Sequence, residues 1–275
     1  MFAARALADN RASGWSSYER VASTQLKRFD LEGGASWRLV LDISDPKGKS
    51  YTGPEKFDPW AATRGWPIGP EEFDAMIRTQ AFPDEADVAV VQNLFRKLRV
   101  RQLGGAKRLK FDSTMPPPSV EDGRRFGHCL NICVNCEKLG LADVGMSDEA
   151  AKQLFSALGH GSLEKLTALT LFNNSIADEG CVAFARAATD GAMPKLASLS
   201  LASNLIKERG ARTLALALAD GHLPSLEELS IGDNAFSDAS RAELSEVCAA
   251  RGIRAKKDRN SDKPLWDDSP IERRR

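Results

Sequence analysis

The segments LTALTLFNNSIADEG (166–180) and LASLSLASNLIKERG (196–210) are two versions of one pattern, and their start positions define a 30-residue period. The segments CEKLGLADVGMSDEA (136–150) and LEELSIGDNAFSDAS (226–240) keep the same spacing. A period of this size indicates one structural unit stacked on copies of itself. The second half of the chain is therefore predicted to be a solenoid.

Each unit begins with leucines at alternate positions, which predicts a short strand with one buried face. An asparagine follows, placed to hydrogen-bond the turn that leaves the strand. Apolar residues at helical spacing come next and end near a glycine, typical of a helix C-terminus. The alternating columns are Leu139, Leu169, Leu199 and Leu229, then Leu141, Leu171, Leu201 and Ile231; the asparagines are Asn174, Asn204 and Asn234, with Val144 in the first unit.

The helix starts are predicted from side chains able to cap an N-terminus. The pairs Ser147-Asp148, Ala177-Asp178 and Ser237-Asp238 stand at this position, and each is expected to cap its own helix. The third unit has Lys207-Glu208, a weaker cap.

This pattern resembles the leucine-rich repeat family, specifically its ribonuclease-inhibitor-like subtype. The resemblance covers residues 136–253, and Leu109 and Phe111 suggest a degenerate unit before it. It implies an α/β leucine-rich-repeat solenoid, with short parallel strands on the concave face and helices on the convex face. The expected organisation is a mixed, mainly helical N-terminal capping region (1–105), about four repeats plus the degenerate unit (106–253) and a disordered tail (254–275).

The first hundred residues lack the repeat. A helix is predicted from Ser16 to Phe29, a strand at 37–43, and two further helices that start at Pro70 and near Asp84. Trp60 and Trp66 lie in an irregular segment, where they either pack against the cap or contact a partner protein. Trp266 in the tail either docks on the last repeat or serves as a short partner motif.

A second resemblance concerns SGWSSYERVASTQLKR and the helical segments after it. These segments stand before the repeats in the same order as in a set of dinoflagellate repeat proteins, which this chain resembles. The first segment of those proteins itself looks like the W-C-x-x-E stretch of Toll/interleukin-1 receptor domains. Trp15 and Glu19 match that stretch, while Ser16 replaces the cysteine. In NAD-cleaving members the matching glutamate is catalytic, which would point to Glu19. The chain lacks the sheet that precedes this motif, so the resemblance implies at most a remnant of such an enzyme.

The segment GHCLNICVNC (127–136) contains three of the five cysteines. Its CxxxCxxC spacing resembles the iron–sulfur signature of radical S-adenosylmethionine enzymes, and its ligand types would also suit zinc. In the 30-residue register, however, Cys133 and Cys136 fall in core columns, where a free cysteine acts as a small hydrophobe. Core packing is favoured and no metal or other cofactor is predicted, while a metal at His128 and Cys129 remains an open alternative.

The concave face is expected to bind a protein partner, because solenoids of this kind present extended binding surfaces. Small residues dominate its columns, and Phe172 is the exception. Charge is graded from Arg108 and Lys110 at one end to Glu227 and Glu228 at the other. The predicted partner-binding residues are Asp143, Phe172, Asn173, Ser200, Ser203, Glu228 and Asp233.

Composition narrows the function further. Lysine plus arginine equals aspartate plus glutamate at 38 each, so no net charge favours nucleic acid or a membrane as a partner. The cysteine pattern suits a reducing compartment, so the cytoplasm is expected. No phosphate-binding loop or metalloprotease motif is present, which favours a non-catalytic interaction module or scaffold over an enzyme. The alternative is a regulator of a small GTPase, for which Asn173 is the one supporting residue. The sequence does not predict the oligomeric state.

Overall fold

The computed structural model describes residues 40–41, 50–51, 66–79, 82, 84–111 and 116–256. Two short antiparallel strands come first, β1 (Val40–Leu41) and β2 (Ser50–Tyr51). Two helices follow, α1 (Pro70–Arg78) and α2 (Ala86–Gly105). Strand β1 falls within the strand predicted at 37–43, whereas the helix predicted at 16–29 lies outside the described residues.

A parallel sheet of six strands, ordered as in the chain, organises the rest. The strands are β3 (Arg108–Lys110), β4 (Lys138–Gly140), β5 (Ala168–Thr170), β6 (Ser198–Ser200), β7 (Glu228–Ser230) and β8 (Arg254–Lys256). The helices between them are α3 (Val120–Leu130), α4 (Asp148–Ser156), α5 (Asp178–Thr189), α6 (Glu208–Ala219) and α7 (Asp238–Ala250). This alternation confirms the predicted α/β solenoid.

The core is formed by the leucine columns, which the register brings side by side. Leu139 pairs with Leu169, Leu169 with Leu199 and Leu199 with Leu229, so that each partner lies one 30-residue period further along the chain. These four side chains are at most 1% exposed. Leu109 of β3 pairs with Leu139 and is also buried. The degenerate unit predicted before the repeats therefore contributes a strand to the same sheet.

The predicted asparagine hydrogen bonds form, and they connect neighbouring repeats. Asn204 Oδ1 accepts from the backbone N–H of Ile176 at 3.1 Å, while Nδ2 donates to the carbonyl of Leu171 at 2.9 Å. Asn174 and Asn234 make the equivalent bonds. Each asparagine therefore satisfies backbone groups of its own turn and of the preceding repeat.

The helix N-termini correct one expectation. Ser147 and Ser237 cap their own helices through Oγ, as predicted. The start of α5, however, is capped by Asp148 of the previous helix, whose Oδ1 accepts from the N–H groups of Ala177 and Gly180 at 2.8 and 2.7 Å. Asp178 in turn caps the start of α6. The aspartates cap the next repeat because stacking places each helix N-terminus beside the carboxylate before it.

The helix ends agree with the glycine positions for α5 and α6. Gly191 and Gly221 follow the C-terminal residues of these helices with φ angles of 88° and 87°, a left-handed conformation that glycine adopts without a steric penalty.

The last strand lies beyond the predicted end of the repeats. Strand β8 pairs with β7 through Arg254 and Glu228, which are closer along the chain than one 30-residue period. Ile253 before it is buried. Three residues that the sequence pattern assigned to the tail therefore belong to the sheet. The last unit is shorter than 30 residues, so the 30-residue register did not predict its strand. The remaining tail, 257–275, lies outside the described residues.

The N-terminal region contributes a small core of its own, where Phe73 of α1 stacks on Phe95 of α2 with ring centroids 3.9 Å apart. Trp66 joins this region to the solenoid. Its ring stacks on Phe111 at 5.1 Å, and its Nε1 donates to the carbonyl of Pro116 at 3.0 Å. Trp66 therefore packs, but against Phe111 and Phe126 of the first solenoid unit rather than against the predicted cap. Trp60 and Trp266 lie outside the described residues. Among the helices described, none is long and apolar enough to cross a membrane.

Candidate functional site

The face of the sheet opposite the helices is called the open face here, and it carries three columns of side chains from β4 to β7. These are the first residues of the strands (Lys138, Ala168, Ser198, Glu228), the third residues (Gly140, Thr170, Ser200, Ser230) and the residues two positions after the strands (Ala142, Phe172, Ala202, Gly232). The alternation of a β-strand places them on one face.

The middle column is buried although none of the described helices covers it. Thr170, Ser200 and Ser230 are only 7%, 6% and 5% exposed. Ser200 was predicted to contact a partner, but its hydroxyl is inaccessible, and Oγ has no hydrogen-bond partner in the part of the chain that the structure describes. The reason is that small side chains on tightly spaced strands are covered by their neighbours. The partly exposed side chains of this face, Phe172 among them, thus lie in the two outer columns.

Phe172 is the single aromatic side chain of these three columns, and it remains partly exposed. Ala142 and Ala202 stand on either side of it in the same column, and Ala202 is 3% exposed. The ring thus lies among small residues that leave room for a partner to approach closely.

Beside Phe172 runs a polar row at the carboxyl ends of the strands. Asp143, Asn173, Ser203 and Asp233 occupy it, and all four have left-handed backbone with φ between 51° and 57°. Asn173 Nδ2 donates to Asp143 Oδ1 at 2.5 Å. Asp143, Asn173 and Asp233 are exposed, while Ser203 is half-buried. The structure therefore brings four of the seven predicted residues into one continuous row next to Phe172.

Two residues of this region were not predicted. Leu205 is 52% exposed at a loop position occupied by Gly145, Ser175 and Ala235 in the other repeats. That contrast within the column is a sequence signal that could have identified it. Arg254 was assigned to the tail, yet it lies on the open face and pairs with Glu228 at 2.6 Å. Glu228 is therefore neutralised, and the predicted charge gradient is weaker than the sequence suggests.

The cysteines of 127–136 lie in the core. Cys129, Cys133 and Cys136 are at most 1% exposed, whereas His128 is exposed. The adjacent side chains of His128 and Cys129 therefore point in different directions. Among the described residues, no three histidine, cysteine or acidic side chains are placed to share a metal ion.

Cys129, which the repeat register left unexplained, contacts the N-terminal region. Arg99 of α2 donates from Nη2 to Cys129 Sγ at 3.0 Å, and this arginine is only 8% exposed. Burial raises the pKa of the Cys129 thiol, and the Arg99 charge opposes that rise. Cys129 thus provides a polarisable partner for a buried guanidinium where helix α2 meets the solenoid.

Burial also makes the cysteines a source of alkaline instability. It raises the pKa of the Cys181 thiol to about 12 from the ordinary 9.0, with further contributions from Asp178 and Asp148. The folded state then binds the thiol proton more tightly than the unfolded chain does. The resulting stabilisation is fully present below pH 9.0 and is lost as the pH rises towards about 12.

The free energy of unfolding is therefore expected to fall as the pH rises above 9.0 and to fall less steeply in Cys181→Ala. Urea unfolding of both proteins between pH 7 and pH 10.5 measures this slope. Lysine and tyrosine titration is common to both proteins and cancels in the difference. Equal slopes for the variant and the parent would contradict the prediction.

The residues behind the NAD-cleaving alternative, Trp15 and Glu19, lie outside the described residues. The residue behind the GTPase-regulator alternative, Asn173, is exposed in the polar row, where its amide is bound to Asp143.

A family model described as "Leucine Rich repeat" matches residues 162–185. Among solved structures, the actin-binding site 2 of leiomodin-1 is similar, with a TM-score of 0.43 and 16% sequence identity over 56% of this chain and 87% of that chain. No curated protein matches the chain significantly. The family match includes strand β5, Asn174 and the first two turns of α5, which together form most of one 30-residue unit. The family match thus supports a leucine-rich repeat at this unit, and the units stacked on either side of it share its register.

Proposed function

We propose that this chain is a non-catalytic protein-interaction module, a scaffold whose partner binds the open face around Phe172. The partly exposed Phe172 ring is the observation that carries the proposal. Aromatic residues are enriched at the centres of protein interfaces, where their burial supplies much of the binding energy. The 30-residue period with a helix in each unit supports the ribonuclease-inhibitor-like subtype, and the buried thiols support a reducing compartment such as the cytoplasm.

The residues around Phe172 define the character of the site. Asp143, Asn173, Ser203 and Asp233 provide exposed or half-exposed polar groups along one side of the ring, and Leu205 adds an apolar side chain in the adjacent loop. A central apolar contact with a polar rim is the usual arrangement of a protein interface. Since the two outermost members of the row are aspartates, basic groups on the partner would complement it. The neutralised Glu228 contributes little to this attraction.

Phe172→Asp is expected to weaken binding of the partner by at least about tenfold, because it removes the apolar contact and places a carboxylate at the centre of the interface. Affinity purification of the full chain from its native cell, with quantitative mass spectrometry, would identify the partner. Binding of the purified partner would then be titrated by calorimetry.

Leu216→Asp provides the matched control, because Leu216 is 53% exposed on α6, on the helical side of the solenoid. This variant also exchanges an exposed apolar side chain for aspartate and should bind normally. Circular dichroism would confirm that both variants are folded. Retention of every partner by folded Phe172→Asp would refute the proposed site.

A further inference from the structure

Helix α2 has apolar side chains on two opposite faces. One face carries Val91 and Phe95, which are 0% exposed in the small core shared with α1. The other face carries Val90, Leu94 and Val100, which are 48%, 38% and 59% exposed. Of the seven large apolar side chains that are exposed in the described part of the chain, three therefore lie on this one face. Single exposed apolar residues are normal, whereas a cluster of them marks an interaction surface.

Two cations complete this face. Its central line is called the α2 stripe here and consists of Val90, Leu94, Lys97 and Arg101, whose spacings of four, three and four residues align them along one side of the helix. Lys97 and Arg101 are exposed, and neither is paired with an acidic side chain of the described residues. The neighbouring Arg96, in contrast, pairs with Asp74 of α1. The α2 stripe is thus apolar in its first half and positively charged in its second half.

The shape of the α2 stripe suits a second helix. The stripe is straight, and the residues from Val90 to Arg101 span about 16 Å along the helix axis. Gly104, which follows the stripe, accepts a hydrogen bond through its carbonyl from Asn135 Nδ2 at 2.7 Å. This contact brings the solenoid loop that carries Val134, which is 58% exposed, to the end of α2. A partner helix lying along the stripe would therefore meet apolar side chains in both places.

We propose that the α2 stripe binds an amphipathic helix of a partner protein, with apolar side chains against its first half and carboxylates against its second half. Charge complementarity decides the class of partner, since two unpaired cations disfavour a basic partner and attract an acidic one. A protein helix is favoured over a membrane surface because the cations lie in line with the apolar residues. Helices that lie on membranes carry their cations on the face opposite the apolar one. This surface is separate from the open face around Phe172 and gives the chain a second contact.

The test measures the binding of synthetic helical peptides to the full chain by fluorescence anisotropy. The probe is an acidic peptide of three heptads, about 21 residues long, with leucine at positions a and d and glutamate at the flanking positions. The comparison peptide has lysine in place of each glutamate. The acidic peptide should bind at least about tenfold more tightly than the basic one.

Two variants probe the two halves of the α2 stripe. Leu94→Asp should weaken binding of the acidic peptide by at least about tenfold, because it places a carboxylate at the apolar contact. The double variant Lys97→Glu/Arg101→Glu should reverse the preference, so that the basic peptide binds more tightly than the acidic one. A gain of binding to the basic peptide cannot arise from a loss of folding.

Matched controls make the same exchanges on other helices. Leu216→Asp replaces an exposed leucine of α6, and Arg186→Glu/Arg212→Glu reverses two exposed arginines of α5 and α6. Both should leave the affinity for the acidic peptide unchanged. Accessibility of the face is tested by Val100→Cys, whose thiol should react rapidly with a maleimide in the native chain, since the five native cysteines are buried.

Several outcomes would overturn the proposal. Equal or absent binding of the two peptides, or a preference that the charge reversal does not change, would show that the stripe does not select an acidic helix. A Val100→Cys thiol that stays unreactive would show that the face is covered within the chain. A dimer in sedimentation that Leu94→Asp dissociates would assign the face to a second copy. Binding to vesicles of anionic lipid that the charge reversal abolishes would assign it to a membrane surface.

Discussion

Asn204→Ala is expected to destabilise the fold by about 2 kcal/mol or more, because a buried backbone donor loses its partner at a cost of roughly 1–3 kcal/mol. This donor is the N–H of Ile176 in the preceding repeat, while the carbonyl of Leu171 loses Asn204 but keeps its hydrogen bond from Asn174. Asn204 is 4% exposed, so water cannot replace the lost hydrogen bonds. Since small domains are stable by only about 5–15 kcal/mol, this single change would remove a large part of the total.

Urea unfolding monitored by circular dichroism measures this loss as a change in the free energy of unfolding. The control is Asn173→Gly, the preceding position in the adjacent repeat. Asn173 is exposed and has a φ of 51°, which glycine adopts freely, so its replacement should cost less than about 1 kcal/mol. Equal losses for the two variants would show that the buried asparagine ladder does not stabilise the repeats.

Gly123→Ala is expected to cost at least about 2 kcal/mol, although alanine normally favours a helix over glycine by about 1 kcal/mol. Gly123 lies on α3 where that helix contacts α4. A Cβ atom there would stand 2.2 Å from the carbonyl oxygen of Ala150, which belongs to the α4 backbone and cannot move alone. The two helices would have to separate. Gly127, one turn later, has the same relation to the carbonyl oxygen of Leu154 at 2.4 Å.

Gly105→Ala is the matched control for this prediction. Gly105 ends α2, and a Cβ atom added to it would meet no atom within 4 Å. This variant should be neutral or slightly more stable, by up to about 1 kcal/mol. In thermal unfolding, the Tm of Gly123→Ala should therefore fall, whereas the Tm of Gly105→Ala should stay the same or rise slightly. A stabilised Gly123→Ala protein would show that α3 and α4 do not approach as closely as described.

The cysteine segment 127–136 shows how the repeat register improves on a local motif. As a local motif its spacing suggests a metal site, whereas the 30-residue register predicts that Cys133 and Cys136 are core residues, and both are buried. The register could not explain Cys129. Its partner is Arg99, which belongs to a helix outside the repeats, and no periodicity links the two.

The sequence predicted which residues lie together on the open face, but it did not predict which of their side chains are accessible. The order of residues along a strand identified the open face and the polar row beside Phe172. The burial of Ser200 and the neutralisation of Glu228 by Arg254 were not predictable, because they depend on the spacing of adjacent strands and on a final strand that departs from the period.

The sequence by itself determined the repeating unit, since leucine alternation, the asparagine and the helical spacing are short-range patterns that specify strand, turn and helix in order. The tertiary structure decided which groups meet across repeats. Asp148 caps α5 instead of its own helix, and Gly123 lies against the backbone of α4. The physical reason is that these contacts join residues about one repeat apart in the chain, whose separation in space is set only when the units stack.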